Sequence, residues 1–261
     1  MNPQPKFRLF RNLLACCLLV IGLFGPPVQM AHSASIVTDG DIVGGGVSLE
    51  AVKTALCAQL VAEGVTPLPQ VCSVGLEERL AFHTSNPSGG NFLAWANNLG
   101  LGVFTDGLLA ADAVCQHYAD NASSPLPGTY KAWLSTDTVD AKTRIGNHKW
   151  LLTDGTTVIA EGLGDLMDCT KGAGGDECLG HAIDLDENGG QPSGITVFTG
   201  TESDGTATTG VPGTNNCGGW TSSLFEISGR AGNSTFTTGL WTASGAPVGC
   251  DNSLSILCFG Q

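Results

Sequence analysis

The longest apolar run of the sequence lies close to its first residue. Residues 13–24 contain no charged side chain, and three basic residues precede them: Lys6, Arg8 and Arg11. A basic segment, an apolar segment and small residues ending near Ala34 have the order and size of a secretory signal peptide. The run is shorter than the about 20 residues that span a bilayer, so we predict no transmembrane segment. We therefore expect residues 1–34 to be a signal peptide and the protein to be secreted, extracellular or periplasmic. A lipid anchor at Cys16 is the weaker interpretation.

Apolar positions at helical spacing follow this segment. After Ser48, which can cap a helix, apolar residues recur every three or four positions: Leu49, Val52, Leu56 and Leu60. The charged stretch over residues 76–80 predicts a second short helix. We expect a small helical N-terminal module over residues 35–84. A linker is expected over residues 85–100, which include a cluster of Ser, Asn, Pro and Gly.

Beyond residue 100 the pattern changes to short apolar segments separated by Gly, Thr, Asn and Ser. Residues 108–121 are rich in Ala and predict the main helix. Residues 150–159 predict a β-hairpin with Asp154-Gly155 at its tip, since Asp-Gly favours a tight turn. Further strands are predicted at residues 102–105, 130–135 and 256–259. The change of pattern near residue 100 predicts that a further domain begins there.

Charge and composition narrow the classes of partner. The 261 residues include 11 Lys and Arg against 24 Asp and Glu, for a formal net charge of −13. Phosphate binding needs clustered Lys and Arg, so the acidic balance argues against a nucleic-acid partner. The 37 Gly and a charged fraction of only 13% favour a turn-rich chain over a helical bundle.

Cysteine usage indicates an oxidising compartment. Removal of the signal peptide takes Cys16 and Cys17 and leaves eight of the 10 cysteines, an even number that predicts four disulfides. Zinc is the competing use of cysteine. No C-x-x-C pair occurs after residue 34, and no His lies at ligand spacing, so disulfides are favoured.

A collinear series of motifs in the last three-fifths of the chain resembles a known family. The motifs are Val103-Phe104, Ala111-Asp112-Ala113-Val114-Cys115-Gln116, Tyr130-Lys131-Ala132-Trp133-Leu134-Ser135, Asp154-Gly155-Thr156, Ile183-Asp184-Leu185-Asp186-Glu187-Asn188-Gly189, Val197-Phe198-Thr199-Gly200-Thr201, Asn216-Cys217-Gly218-Gly219-Trp220-Thr221-Ser222 and Leu257-Cys258-Phe259. The series resembles a bacterial family of secreted domains of unassigned function, related in fold to C-type-lectin-like domains and endostatin.

The resemblance covers residues 101–261 and implies an α+β, C-type-lectin-like domain. Such a domain has short antiparallel strands, one main helix and a long irregular loop region. Lectin-like domains tie their first helix to their last strand and join two cysteines in the loop region, which implies the pairs Cys115–Cys258 and Cys217–Cys250. Proximity along the chain gives Cys169–Cys178 and Cys57–Cys72 as the remaining pairs, out of the 105 pairings that eight cysteines allow. Residues 35–100 lie outside the resemblance.

One acidic segment has the beginning of a calcium-loop pattern. Asp184, Asp186 and Asn188 place oxygens at alternate positions ahead of a Gly, and such oxygens can converge on one hard cation. Ile195 stands where an EF-hand loop needs its bidentate Glu. The competing interpretation is an acidic turn closed by Asn-Gly. A weak calcium site is therefore a possible cofactor site, and the turn is the favoured alternative.

The residues that sugar-binding lectins use are incomplete in this chain. Those lectins resemble one another in a Glu-Pro-Asn or Gln-Pro-Asp triplet and a Trp-Asn-Asp, whereas this sequence has Gln191-Pro192-Ser193 and Trp241-Thr242-Ala243 at the nearest places. Sugar recognition through calcium is therefore disfavoured. Trp220 and Trp241 are candidates for a ligand surface, and burial in the core is the favoured interpretation for each.

Motifs of catalysis are sparse. The sequence contains no G-x-S-x-G, H-E-x-x-H or phosphate-loop pattern, and each His is interpreted as a surface or packed residue. We therefore expect no enzyme but a secreted binding domain that recognises an extracellular protein or glycan through its loop region. A structural envelope or matrix component without a dedicated ligand is the alternative, and a hydrolase is the least favoured.

Overall fold

The computed structural model describes residues 57, 59, 60, 76–171, 176–191, 195–210, 213–245 and 247–261. The predicted signal peptide, most of the predicted N-terminal helix and Cys72 lie outside the described residues. Residues Lys53–Gln261 belong to one compact unit. In the part of the chain that is described, none of the helices has the length and apolar character needed to cross a membrane.

The described residues form an α+β fold with a mixed sheet. The strands are β1 (Glu78–His83), β2 (Tyr130–Ala132), β3 (Lys149–Leu151), β4 (Val158–Ala160), β5 (Thr196–Phe198), β6 (Ser228–Gly229), β7 (Ala231–Asn233), β8 (Val248–Gly249) and β9 (Ser255–Gly260). Seven of them form one sheet in the order β4-β3-β1-β9-β5-β7, with β2 also paired to β9, and β6 pairs with β8 separately.

Strand β9 is the centre of the sheet. It pairs antiparallel with β1 and β2 and parallel with β5. Strand β1 in turn pairs parallel with β3. All six residues of β9 are buried. A strand buried on both faces needs a nearly continuous apolar sequence, and Ile256-Leu257-Cys258-Phe259 supplies it.

Within the described ranges, right-handed α-helices accompany the sheet: α1 (Phe92–Asn98), α2 (Gly107–Asp120), α3 (Ala141–Arg144) and α4 (Leu163–Met167). Gly239–Trp241 forms one 3-10 turn, and Cys217–Trp220 forms a turn with left-handed backbone. Two of the α-helices begin at side-chain caps: Asn91 Oδ1 accepts from the Ala94 amide at 3.0 Å, and Asp106 Oδ1 accepts from the Leu108 and Leu109 amides at 2.8 and 3.0 Å. Such caps satisfy amides that the first helical turn leaves without partners.

The sheet separates two apolar clusters. One contains Phe82 and Cys258 with the buried faces of α1 and α2. The other contains Leu257 and Phe259 with three buried tryptophans: Trp133, Trp150 and Trp241. Neighbouring residues of β9 belong to opposite clusters because side chains of a strand alternate between its two faces.

Two predictions on the N-terminal side of the domain are wrong. Residues 76–80, predicted as a helix, lead into and form part of β1, because pairing with both β3 and β9 outweighs the helical propensity of Glu and Arg. The predicted linker, residues 85–100, contains α1, whose Phe92, Trp95 and Ala96 are buried. Residues 78–98 are therefore part of the domain, which the sequence placed at 101–261.

The remaining element predictions are mostly confirmed. The main helix is α2, the hairpin is formed by β3 and β4, and the terminal strand is β9. Residues 102–105 form no strand, and the Val103 side chain is 91% exposed. Gly100 and Gly102 both have positive φ, so the chain turns there instead of extending.

Three disulfides connect the described residues: Cys115–Cys258, Cys169–Cys178 and Cys217–Cys250. Each is a pair that was expected. Cys57 is also disulfide-bonded, and Cys72, its expected partner, lies outside the described residues. The Cys115–Cys258 bridge joins α2 to β9 and closes 143 residues. Loop-closure entropy assigns such a bridge about 5 kcal/mol of stability.

Candidate binding surface

Both tryptophans considered for a ligand surface are buried in the core. Trp220 and Trp241 are each 0% exposed. The Trp220 ring stacks on Phe92 with centroids 5.3 Å apart, and its indole N–H donates to the Ser135 carbonyl oxygen at 2.8 Å. Trp241 packs against Trp133 at 5.1 Å. The assignment of these two residues to a ligand surface is therefore wrong, and the core interpretation is confirmed.

Trp220 ends a turn of left-handed backbone. The four residues Cys217–Trp220 have φ values of 50°, 64°, 72° and 65°. Gly218 and Gly219 adopt this conformation freely, whereas Cys217 and Trp220 lose about 1–2 kcal/mol each. Strain of this kind persists only where the surroundings fix it. Here the disulfide of Cys217 and the buried ring of Trp220 fix both ends of the turn.

Hydrogen bonds hold the same turn from outside. The Asn216 side-chain oxygen accepts from the Gly219 amide at 2.9 Å, and its carbonyl oxygen accepts from the Trp220 amide at 2.6 Å. The Asn216 side-chain amide donates to Asp137 Oδ1 at 2.8 Å, and Asp137 Oδ2 accepts from the Gly213 amide at 2.9 Å. The turn is therefore held by hydrogen bonds within itself and by hydrogen bonds to Asp137.

Residues 221–226, here named the 221–226 loop, follow this turn and are held at both ends by Cys250. At the first end, Cys250 is disulfide-bonded to Cys217. At the other end, the Cys250 amide donates to the Ile227 carbonyl oxygen at 2.9 Å. The Gly90 amide donates to the Cys250 carbonyl oxygen at 2.8 Å, which ties this point to the segment before α1. The loop thus projects from a fixed base.

The 221–226 loop exposes two large apolar side chains in succession. Leu224 is 58% exposed and Phe225 is 75% exposed. An exposed aromatic beside an exposed Leu on a rigid loop is typical of a recognition site, because neither contributes to the core. This pair was not among the residues predicted from the sequence to form a ligand surface. The available signal was an apolar dipeptide within a polar stretch, and such a dipeptide in a disulfide-linked loop could equally have been a core contact.

The three candidate calcium ligands each have a different partner within the chain. Asp186 Oδ1 accepts from the Asn188 and Gly190 amides at 2.8 and 2.9 Å, and Asn188 Oδ1 accepts from the Ser123 amide at 2.7 Å. Asp184 Oδ1 lies 3.8 Å from His181 Nδ1. Asp186 is thus held by the amides of its own turn and Asn188 by a neighbouring segment, which supports the interpretation of this segment as an acidic turn. The calcium site stays a prediction.

Among the described residues, no group of three or more His, Cys, Asp or Glu side chains is placed to hold a metal ion. The aspartates and glutamates of the turn instead serve the fold. Glu187 accepts from the Ser85 amide at 3.0 Å and so connects the turn to the segment that follows β1.

His83 lies beside the acidic turn, at the end of β1. Its backbone amide donates to the Leu185 carbonyl oxygen at 3.1 Å, and its side chain is 1% exposed with neither ring nitrogen hydrogen-bonded. Burial lowers the pKa of His83 to about 4, against the opposing effect of Asp186 and Asp184. The ring is therefore neutral near pH 7 and serves as packing, as the sequence predicted for the histidines.

Comparison with known proteins assigns neither a family nor a function to this surface. No model of a protein family matches the chain, and no curated protein matches it. The resemblance to secreted lectin-like domains therefore stays a prediction based on the motifs.

Proposed function

We propose that the protein is a secreted, non-catalytic binding domain with a C-type-lectin-like fold, and that the 221–226 loop is its contact surface for an extracellular protein or glycan. The observation that supports this most directly is the exposure of Leu224 and Phe225 on a loop fixed by a disulfide and a left-handed turn. A fixed loop loses little conformational entropy on binding, so exposed apolar area is converted into affinity more efficiently.

The disulfides support the secreted location. Several disulfides in one chain persist in oxidising compartments, and disulfides are rare in compartments where thiols are kept reduced. The apolar run at residues 13–24 supplies a route of export. The lectin-like fold is supported by the link from the main helix to the terminal strand through Cys115–Cys258, and by a second bridge in the loop region.

A protein ligand is favoured over a glycan. Sugar-binding surfaces stack flat aromatic rings on pyranose faces, and the two tryptophans considered for that role are buried. The exposed pair is one aliphatic and one aromatic side chain, and such a pair suits an apolar depression on a protein.

Binding to a panel of purified extracellular proteins and to a glycan array tests the proposal. The oxidised protein is compared with Leu224→Ser/Phe225→Ser. Burial of a Leu and a Phe is worth about 1.5–3 kcal/mol each, so the double variant is expected to bind its ligand more than ~100-fold more weakly. Phe236→Ser/Leu240→Ser is the matched control, since those two side chains are 41% and 43% exposed at a different place.

Two results would contradict the proposal. One is the absence of any ligand for the native protein in both panels. The other is an equal loss of binding in the two double-serine variants. That result would mean that binding depends on exposed apolar residues in general and not on those of the 221–226 loop.

A further inference from the structure

The cationic side chains of the described region are all engaged within the chain. Five are ion-paired: Arg79 with Glu77, Arg144 with Asp112, Lys149 with Glu78 and Glu161, Lys171 with Asp165, and Arg230 with Glu202. Lys131 and Lys142 donate to backbone carbonyl oxygens of Arg144 and Asp204 at 2.8 and 3.4 Å. The acidic excess of the sequence therefore appears on the surface as carboxylates without cationic partners.

Two of these carboxylates lie at the 221–226 loop. Glu226 is the last residue of the loop, is exposed, and forms neither an ion pair nor a side-chain hydrogen bond with the other described residues. Asp251 is exposed, and its carboxylate accepts, among the residues that the structure describes, only from the side chain of its neighbour Asn252, at 3.4 Å. A Cβ atom built at Gly249 would lie 2.6 Å from Asp251 Oδ1 and 3.4 Å from the Phe225 carbonyl oxygen, so Asp251 and Phe225 flank the same backbone position.

We infer that the 221–226 loop docks on a basic protein surface in which Lys or Arg side chains border an apolar depression. This rests on the proposed function and specifies the partner. Leu224 and Phe225 fill the depression, and Glu226 and Asp251 face the basic border. Complementary charge at the rim of an apolar contact raises the association rate and rejects partners of the wrong sign.

The same charges argue against two other occupants. A second copy of this chain docked loop to loop would place Glu226 and Asp251 of both copies near one another, which like-charge repulsion disfavours. An acidic partner is disfavoured for the same reason, because no described Lys or Arg near the loop is free to compensate it. Arg230, which follows strand β6, is held by Glu202 and by the Gly245 carbonyl oxygen.

Selection from a random-sequence peptide library displayed on phage tests this inference. The oxidised full-length protein is the bait, and Leu224→Ser/Phe225→Ser is the counter-selection. Enriched peptides are expected to combine Lys or Arg with an aliphatic or aromatic residue. These peptides are expected to bind Glu226→Lys/Asp251→Lys about tenfold more weakly than the native protein. Their binding to the native protein is expected to weaken as the salt concentration rises. Asp176→Lys/Glu177→Lys is the matched control, because it makes the same charge change at two exposed residues of another loop and should leave binding intact.

The outcomes separate this inference from the proposed function. Enriched peptides without basic residues, or binding that is insensitive to Glu226→Lys/Asp251→Lys and to salt, would overturn the basic partner and leave the loop as the contact surface. An equal effect of the two charge-reversal variants would also overturn it, since net charge alone would then be responsible. Enrichment that is the same on native protein and on Leu224→Ser/Phe225→Ser would overturn both. Binding to glycans but to no peptide would overturn the protein partner.

Discussion

The carboxylate of Asp112 lies 2.6 Å from the guanidinium of Arg144, and the pair connects α2 to α3 across strand β2. Asp112 also accepts from the Ala132 amide at 2.9 Å, while Arg144 donates to the Ala132 carbonyl oxygen at 2.6 Å. The two side chains are only 18% and 10% exposed. Burial raises the pKa of Asp112 against the opposing charge of Arg144. Each buried charge is therefore stabilised by the opposite charge of its partner.

Removal of the cation alone should be costly. Arg144→Met leaves the Asp112 carboxylate buried without its partner, and we expect the free energy of unfolding to fall by about 3 kcal/mol. Asp112→Leu/Arg144→Met removes both charges and should cost less than the sum of the single changes. Urea denaturation of Arg144→Met, Asp112→Leu and the double variant measures this. Additive losses would show that the pair is not coupled.

The pH dependence of stability should report His83. The pKa of its ring is about 4 in the folded protein and 6.5 when the chain is unfolded. Between these values the unfolded chain binds the proton and the folded chain does not, so stability is complete above pH 6.5 and falls as the pH drops toward 4. The loss amounts to about 3 kcal/mol. Thermal unfolding at a series of pH values measures it.

The matched pair of variants for this prediction is His83→Leu and His181→Leu. His83→Leu removes a buried ring with two unpaired nitrogens and should flatten the profile between pH 6.5 and 4. His181 is 46% exposed at its side chain, so His181→Leu controls for the loss of a histidine that is not buried. A slope that survives in His83→Leu would assign the acid sensitivity to the carboxylates instead.

Backbone strain and close packing can be separated at two glycines. Gly219 has φ +72° with no atom within 4 Å of an added Cβ, so Gly219→Ala should lose only the left-handed preference, about 1 kcal/mol. An added Cβ at Gly107 would overlap the Gly219 carbonyl oxygen and lie 2.7 Å from the Trp220 Cβ. Gly107→Ala should therefore cost about 3 kcal/mol through overpacking. Chemical denaturation compares them, and equal losses would contradict this account.

The disulfides should differ in their contribution to stability. Cys115→Ala/Cys258→Ala opens a loop of 143 residues and should cost about 5 kcal/mol, whereas Cys169→Ala/Cys178→Ala opens a loop of nine and should cost about 2.5 kcal/mol. The long bridge also joins two buried elements, so its loss should reduce the yield of folded protein much more. Similar yields and stabilities of the two variants would contradict the assigned frame.

Calcium is expected to have no effect on the acidic turn. The Asp186 carboxylate already accepts two backbone amides, and Asn188 is occupied by Ser123. A calorimetric titration at millimolar calcium should give no binding heat for the native protein, Asp184→Ala or Asp186→Ala. Heat that disappears in both variants would establish the loop as a metal site after all.

The sequence predicts those elements whose signal is local. Helix α2 has its Asp106 cap and an Ala-rich body, and the β3–β4 hairpin has Asp154-Gly155 at its tip. Strand β1 could not be predicted in this way, because Glu78-Arg79-Leu80 favours a helix in isolation and becomes a strand only between β3 and β9. Helix α1 had a usable local signal in its Asn91 cap, within a stretch that looked like a linker.

The candidate surface could be predicted only in outline. The resemblance implied a loop region with the bridge Cys217–Cys250, and that bridge is present. Which apolar residues point outward could not be read from the chain. Trp220 and Phe225 lie five positions apart in the same irregular segment, and neither has a periodic pattern that would fix its side. The packing of Phe92 beneath Trp220 decides it, and that contact joins segments distant in sequence.

The position of β9 has a consequence for how the chain matures. Its residues are synthesised after those of every strand they pair with, so β1 stays unpaired on one edge until residues 255–260 are available. Pairing between residues this far apart is slow and carries a large closure entropy. Cys115 and Cys258 can be joined only after Cys258, within β9, has been synthesised, so this bridge cannot form before the strand at the centre of the sheet is available.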